Sequence, residues 1–151
     1  MTRRHESLIP LTHDHHHALA QTRRLRAAAK VGGRELLGQS QVFLTFFYDD
    51  SVTHFREEEE RVFPMAVDDQ RARPLLTRVM MEHLQIHALA TRLGLEVASG
   101  RATVRSAVEL AATLESHIRV EERELFPLLE EIIDADRLNA ISLRDRSVIP
   151  V

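Results

Sequence analysis

The stretch His54-Phe55-Arg56-Glu57-Glu58-Glu59-Glu60-Arg61-Val62-Phe63-Pro64 returns as His117-Ile118-Arg119-Val120-Glu121-Glu122-Arg123-Glu124-Leu125-Phe126-Pro127. Both copies read His, apolar, Arg, any residue, Glu-Glu, any two residues, apolar, Phe-Pro. Residues four apart share one face of an α-helix, so each copy stacks a His on a Glu. That face is apolar on either side. Leu110, Leu114, His117, Glu121, Leu125, Leu128 and Ile132 step by three or four, as do Phe43, Phe47, Ser51, His54, Glu58, Val62 and Met65. Each polar pair therefore interrupts a core stripe. Two copies separated by a different segment suggest two helices doing one job from different sides of a bundle, and not a solenoid.

Two further stripes lie outward from the repeat. Leu8, Leu11, His15, Leu19, Thr22, Leu25 and Ala29 precede the first copy; Leu76, Met80, His83, His87 and Ala90 lie between the copies. The punctuation is clear. Thr12 reads as the N-cap of a first helix that stops at Gly32-Gly33. A second helix starts near Arg34 or Glu35, with Pro64 kinking or ending it, and Asp68 to Arg73 reads as a turn. Pro74 suits the first turn of a third helix, closed by Ser99-Gly100. Thr103 or Ala102 opens a fourth, running to about Asp134. Long helices with short links predict an all-α chain, an antiparallel up-down four-helix bundle. Residues 1–151 form one domain in this reading, with a bundle core at about 8–134. The tail 135–151 has room for one short fifth helix capped by Asp136.

Composition removes many functions. The chain has 151 residues, 44% apolar and 28% charged, enough for a real core. Its formal charge is −3 with no dense basic block, so no nucleic-acid partner is expected. No apolar run reaches bilayer length, and MTRRHESLIP lacks a leader's apolar stretch, so no membrane partner and a cytoplasmic location are expected. The absence of cysteine excludes disulfides, thiolate zinc sites, iron–sulfur centres and Cys nucleophiles. Nine histidines remain, and they cluster on the helices.

The stripes gather His15, His54, His83, His87 and His117 with Glu58 and Glu121. Five imidazoles and two carboxylates in a core are costly unless something satisfies them. Seven donors exceed one ion and match two, with the carboxylates able to bridge. Nitrogen and oxygen donors suit iron or manganese and admit zinc; iron is preferred because a bridged pair can share one-electron changes. His15 lies on the Leu11–Leu19 stripe, whereas its alternative His16 shares a face with Thr12, Arg23 and Arg26. Glu121 stands one turn from His117, with Glu122 as its alternative. Glu57, Glu59 and Glu60 read as a solvated run or as supporting groups, and His13 and His17 likewise.

This ordered set resembles the hemerythrin-like (HHE cation-binding) family from about Leu8 to Ile133. It is carried by His15 after Asp14, by HFREE…FP and HIRVEE…FP, and by EHLQIH. The resemblance implies a non-haem di-iron centre in an antiparallel four-helix bundle. It places His83, His87 and His117 on one iron and His15 and His54 on the other. Glu58 and Glu121 would bridge the two iron ions together with an oxo or hydroxo group. The iron with two histidines would keep the position where dioxygen binds. Respiratory members place an aspartate five residues after the fourth-helix histidine, whereas this chain has glutamate at four and five. Members with glutamate at four include oxygen and iron sensors and proteins of nitric-oxide or peroxide chemistry. Ferritin-like di-iron proteins, by contrast, use Glu-x-x-His on two helices. The expected function is a non-haem di-iron protein that binds or senses dioxygen. The alternatives are a di-iron oxidoreductase acting on peroxide or nitric oxide, and an iron storage or delivery protein. Sensing would need a separate redox or signalling partner.

Overall fold

A computed structural model describes residues 3–141. Among them the chain is all helical, without strands. Four long rods follow one another around a bundle. The first is α1, Ile9–Val31. The second comprises α2, Gly33–Phe46, and α3, Val52–Glu57, with further turns to Ala66. The third is α4, Arg73–Ala98. The fourth joins α5, Val104–Val120, to α6, Phe126–Ile132. Each rod packs on its neighbours in chain order, and the first closes on the fourth. Contacts run in opposite senses along neighbouring rods: Arg26 meets Glu115 while His15 meets Glu122, and Arg92 meets Glu109 while Glu82 meets His117; the first and second rods part at Gly32-Gly33 and meet again at Asp14 and His54. The bundle is antiparallel throughout. A short helix α7, Ala135–Asn139, adds Leu138 to the core. No helix among the described residues is long and apolar enough to cross a membrane.

The ends of the rods have local causes. Gly32 and Gly33 adopt φ of 79° and 55°, which glycine reaches without a Cβ clash, and the chain reverses there within two residues. Pro74 lies in the first turn of α4 and Thr103 caps α5, its hydroxyl accepting from Ser106 N–H. Two expected caps move. α1 begins at Ile9 with Pro10 in its first turn, so Thr12 is inside the helix, where its hydroxyl donates to Glu122 at 2.8 Å. α7 is capped by Asp134 and not by Asp136, the Asp134 carboxylate accepting from Arg137 N–H. The remainder of the tail, from residue 142, lies outside the described residues.

Among the described residues three π turns break the α repeat: Phe47–Ser51, Glu58–Val62 and Glu121–Leu125. The last two begin on the glutamates of the repeat. In each, the N–H of the phenylalanine five residues on, Phe63 or Phe126, donates to that glutamate's carbonyl. The wider turn holds one extra residue and advances the phase of the helix beyond it. The fourth rod consequently buries Leu125, Phe126, Leu129 and Ile133 and leaves Leu128 and Ile132 half-buried, which corrects the expected stripe. The second rod buries Val62, Phe63 and Ala66 in place of Met65 for the same reason.

Among the described residues the core falls into two apolar clusters. One is built around Leu25, Leu36, Phe43, Phe47, Leu93 and Leu110. The other contains Leu8, Leu11, Val62, Val79, Phe126, Leu129 and Leu138. Between them, among the described residues, lies a polar layer.

Candidate metal centre

Six buried side chains make that layer: His15, His54, Glu58, His83, His117 and Glu121. Their donors form two groups, each within 4.8 Å: His15, His54, Glu58 and Glu121, and Glu58, His83, His117 and Glu121. Both carboxylates belong to both groups. Their oxygens divide between them. Glu58 Oε1 faces His54 Nε2 at 2.8 Å, and Glu58 Oε2 faces His83 Nε2 at 3.4 Å. Glu121 Oε2 faces His15 Nε2 at 2.9 Å, and Glu121 Oε1 faces His117 Nε2 at 3.0 Å. The Nε2 atoms of His15 and His54 are 3.1 Å apart.

The opposite ring nitrogens are all held. His15 Nδ1–H donates to Glu122 at 2.6 Å, and His54 Nδ1–H to Asp14 at 2.8 Å. His83 Nδ1–H donates to Glu59 at 2.7 Å and His117 Nδ1–H to Glu82 at 3.1 Å. A carboxylate behind an imidazole fixes its tautomer and turns the free nitrogen toward whatever the ring coordinates. Aromatic rings pack the histidines from the sides. Phe126 stacks on His15 at 5.5 Å between centroids, and Phe63 on His83 at 6.3 Å. Phe55 lies on His83 at 4.0 Å and meets the edges of His117 and His87 at 5.7 Å.

The protonation states reflect this crowding. Burial opposes charge on His83, but the carboxylates of Glu121 and Glu58 outweigh it and raise its pKa to about 10. Burial likewise acts against His117, which Glu121 and Glu82 raise to about 9. His15 and His54 are raised against burial by Glu121 with Glu122, and by Glu58, respectively. Burial would lift Glu121, yet His117, His15 and His83 hold it well below the usual carboxylate range. Glu122 falls to about 2 because His15, Thr12 and Arg4 outweigh its burial.

Proximity does not satisfy the layer. Both oxygens of Glu58, both of Glu121, and Nε2 of His83 and His117 are buried without an aligned hydrogen-bond partner. A buried orphan of this kind costs about 1–3 kcal/mol. Six orphans converging on two points fit a pair of cations. Donors around an octahedral ion with bonds of about 2.1 Å lie about 3 Å apart, and the closest contacts between the donors have that spacing. The layer is two His/Glu clusters able to chelate metal.

Six of the seven residues expected from sequence are thus brought together, and His87 is not. α4 buries Leu76, Val79, His83, Ile86, Ala90 and Leu93, which alternates steps of three and four, so Ile86 takes the turn after His83. Met80 is exposed and His87 half-buried, its ring 5.7 Å from those of Phe47 and Phe55. The open choices are also placed: His15 is buried and His16 exposed, while Glu121 lies in the layer and Glu122 behind His15. Sequence reasoning misses the roles of Asp14 and Glu82. Each directly precedes a layer histidine, and the dipeptides Asp14-His15 and Glu82-His83 are the available signal.

Comparison with known proteins agrees with this geometry. The Hemerythrin family model, described as the Hemerythrin HHE cation binding domain, matches residues 8–129. No curated protein and no solved structure matches the chain.

Proposed function

Since the chain belongs to the hemerythrin HHE cation-binding domain family, we propose that it is a non-haem di-iron protein that binds or senses dioxygen. The observation that carries this reading is the sharing of Glu58 and Glu121 between two histidine pairs. His15 and His54 would hold one iron, His83 and His117 the other, and the two carboxylates would bridge them. A bridged iron pair supplies two electrons in one-electron portions to a small oxidant, which a single ion of fixed charge does not.

The protein's own part is to hold the donors still and exclude water. Each histidine is fixed by a hydrogen bond at Nδ1, so its Nε2 needs little reorganisation to ligate. The apolar clusters on both sides of the layer keep the surroundings of low polarity, which favours small uncharged ligands such as dioxygen or nitric oxide over ions. Each group offers four protein donors, His15, His54, Glu58 and Glu121 or Glu58, His83, His117 and Glu121, so an ion held there would have room for a small ligand. His87 is a further imidazole on the His83 side, outside both groups.

The test is metal content and absorption of protein purified without oxygen, recorded as oxygen is added and removed. Two irons per chain and a charge-transfer spectrum that reverses are expected. Two irons that oxidise irreversibly would move the reading to peroxide or nitric-oxide chemistry. Loose, readily exchanged iron would indicate storage or delivery.

A further inference from the structure

The acids behind the histidines obey one rule. Asp14 on the first rod holds His54 on the second, and Glu59 on the second holds His83 on the third. Glu82 on the third holds His117 on the fourth, and Glu122 on the fourth returns to His15 on the first. Every rod gives one imidazole and one acid, and each acid reaches to the next rod in the same sense. The circuit closes. Two members precede a layer histidine in sequence, and two come after a layer glutamate, so the circuit repeats itself across the two halves of the bundle. All four acids are partly buried, with side-chain exposures of 15% to 30%. Outer partners hold the acids as well: Glu122 also accepts from Thr12 and from Arg4, whose guanidinium sits 5.3 Å from the Phe126 ring centroid, and Glu82 accepts from Arg78.

Taking the layer as a metal pair, we propose that Asp14, Glu59, Glu82 and Glu122 form a closed belt of positioning residues. The belt aims the four Nε2 atoms at the metal positions before metal arrives. Each link crosses between rods, so it fixes a ring orientation and the distance between two helices at once. An imidazole freed at Nδ1 regains rotation about two bonds, and its Nε2 spends less time on the metal position. The belt therefore acts on affinity through orientation, and the acids need not touch the metal.

The experiment uses the full chain. Metal-free protein is titrated with Co2+ against a chromophoric chelator, and the zinc-loaded protein is examined by proton NMR for its histidine Nδ1–H signals. Wild type is compared with Glu82→Ala, Glu59→Ala, Glu82→Gln and Glu59→Gln, with Glu109→Gln as a control on an exposed Arg92 ion pair. The alanine variants are expected to bind cobalt about 10- to 100-fold more weakly. Glu82→Ala should lose the signal of His117 alone, and Glu59→Ala that of His83 alone. The glutamine variants keep an acceptor oxygen and should regain most of the affinity, which a folding defect would not predict. Wild-type uptake of two cobalt ions with unchanged affinity in the alanine variants would overturn the belt and leave the metal pair standing. Glutamine variants as weak as the alanine ones would assign the effect to charge and overturn orientation as its cause. Failure of wild type to take up a pair would remove the metal centre and the belt together.

Discussion

The half of the layer built on His15 and His54 and the half built on His83 and His117 have the same wiring and different backing. Both use the same two carboxylates, and both hold every ring at Nδ1 by an acid from the preceding rod. Both carry a stacked phenylalanine from a Phe-Pro pair, Phe126 on His15 and Phe63 on His83. The difference lies one residue and four residues away. Phe55, lying on His83, corresponds in the repeat to Ile118, and His87, one turn beyond His83, corresponds to Leu19 one turn beyond His15. The His83 half thus carries a benzene ring on its imidazole and a spare imidazole beyond it, where the repeat has Ile118 and Leu19; the same Phe55 ring meets the edge of His54 at 6.0 Å. The shared features are those that ligation would require, and the differences are where the two halves can be made chemically unequal.

The sharpest way to break the comparison is at the shared carboxylates. Glu58→Ala or Glu121→Ala removes a donor from both groups, and iron content is expected to fall from two per chain to fewer than one. Single histidine changes should act on one half only. His54→Ala and His117→Ala are each expected to retain one tightly bound iron, with different spectra for the ion that remains. If either emptied both halves, the pairwise division would be wrong.

How much of this is legible in the sequence depends on whether a local rule governs each residue. The repeat at His54 and His117 reveals the paired His–Glu faces because four-residue spacing on a helix is fixed by covalent geometry. The glycine and proline punctuation marks the rods within a few residues. The π turns have no sequence signal of their own, so regular spacing puts Leu128, Ile132 and Met65 on faces that the extra residue in each turn rotates away. His87 is drawn in by the same four-residue step that holds for His54 and Glu58. In α4 the buried line instead steps by three from His83 to Ile86, a choice made by packing against the other rods. The acids of the belt are visible as residues, but their partners lie on another helix and only the folded bundle joins them.

Acidity gives a smaller, testable effect in the metal-free chain. His83 and His117 have pKa values raised from 6.5 to about 10 and about 9. The stability they contribute is complete below pH 6.5 and is lost as pH rises through those values. Glu122, lowered from 4.5 to about 2, contributes above pH 4.5 and loses its share as pH falls toward 2. Thermal denaturation without metal should therefore peak between about pH 4.5 and 6.5, with Tm at least about 4 °C lower at pH 9.5. Metal competes with protons for the same nitrogens, so the loaded protein should gain stability as pH rises toward neutrality. A metal-free Tm that rises toward pH 9.5 would contradict the assigned pairing.

The smallest effects should come from equalising the halves. His87→Leu copies Leu19 and is expected to keep both irons, shifting the spectrum of one without changing the stoichiometry. Phe55→Ile copies Ile118 and should cost about 1–3 kcal/mol of stability while also keeping both irons. Loss of one iron in His87→Leu would bring that imidazole into the coordination of the His83 half.

The most direct measurement is anomalous diffraction at the iron edge from crystals of protein loaded with iron without oxygen. Two peaks are expected in the polar layer, one beside His15 and His54 and one beside His83 and His117, with Glu58 and Glu121 between them. A single peak, or peaks only at the exposed histidines of the first rod, would contradict the two-metal centre.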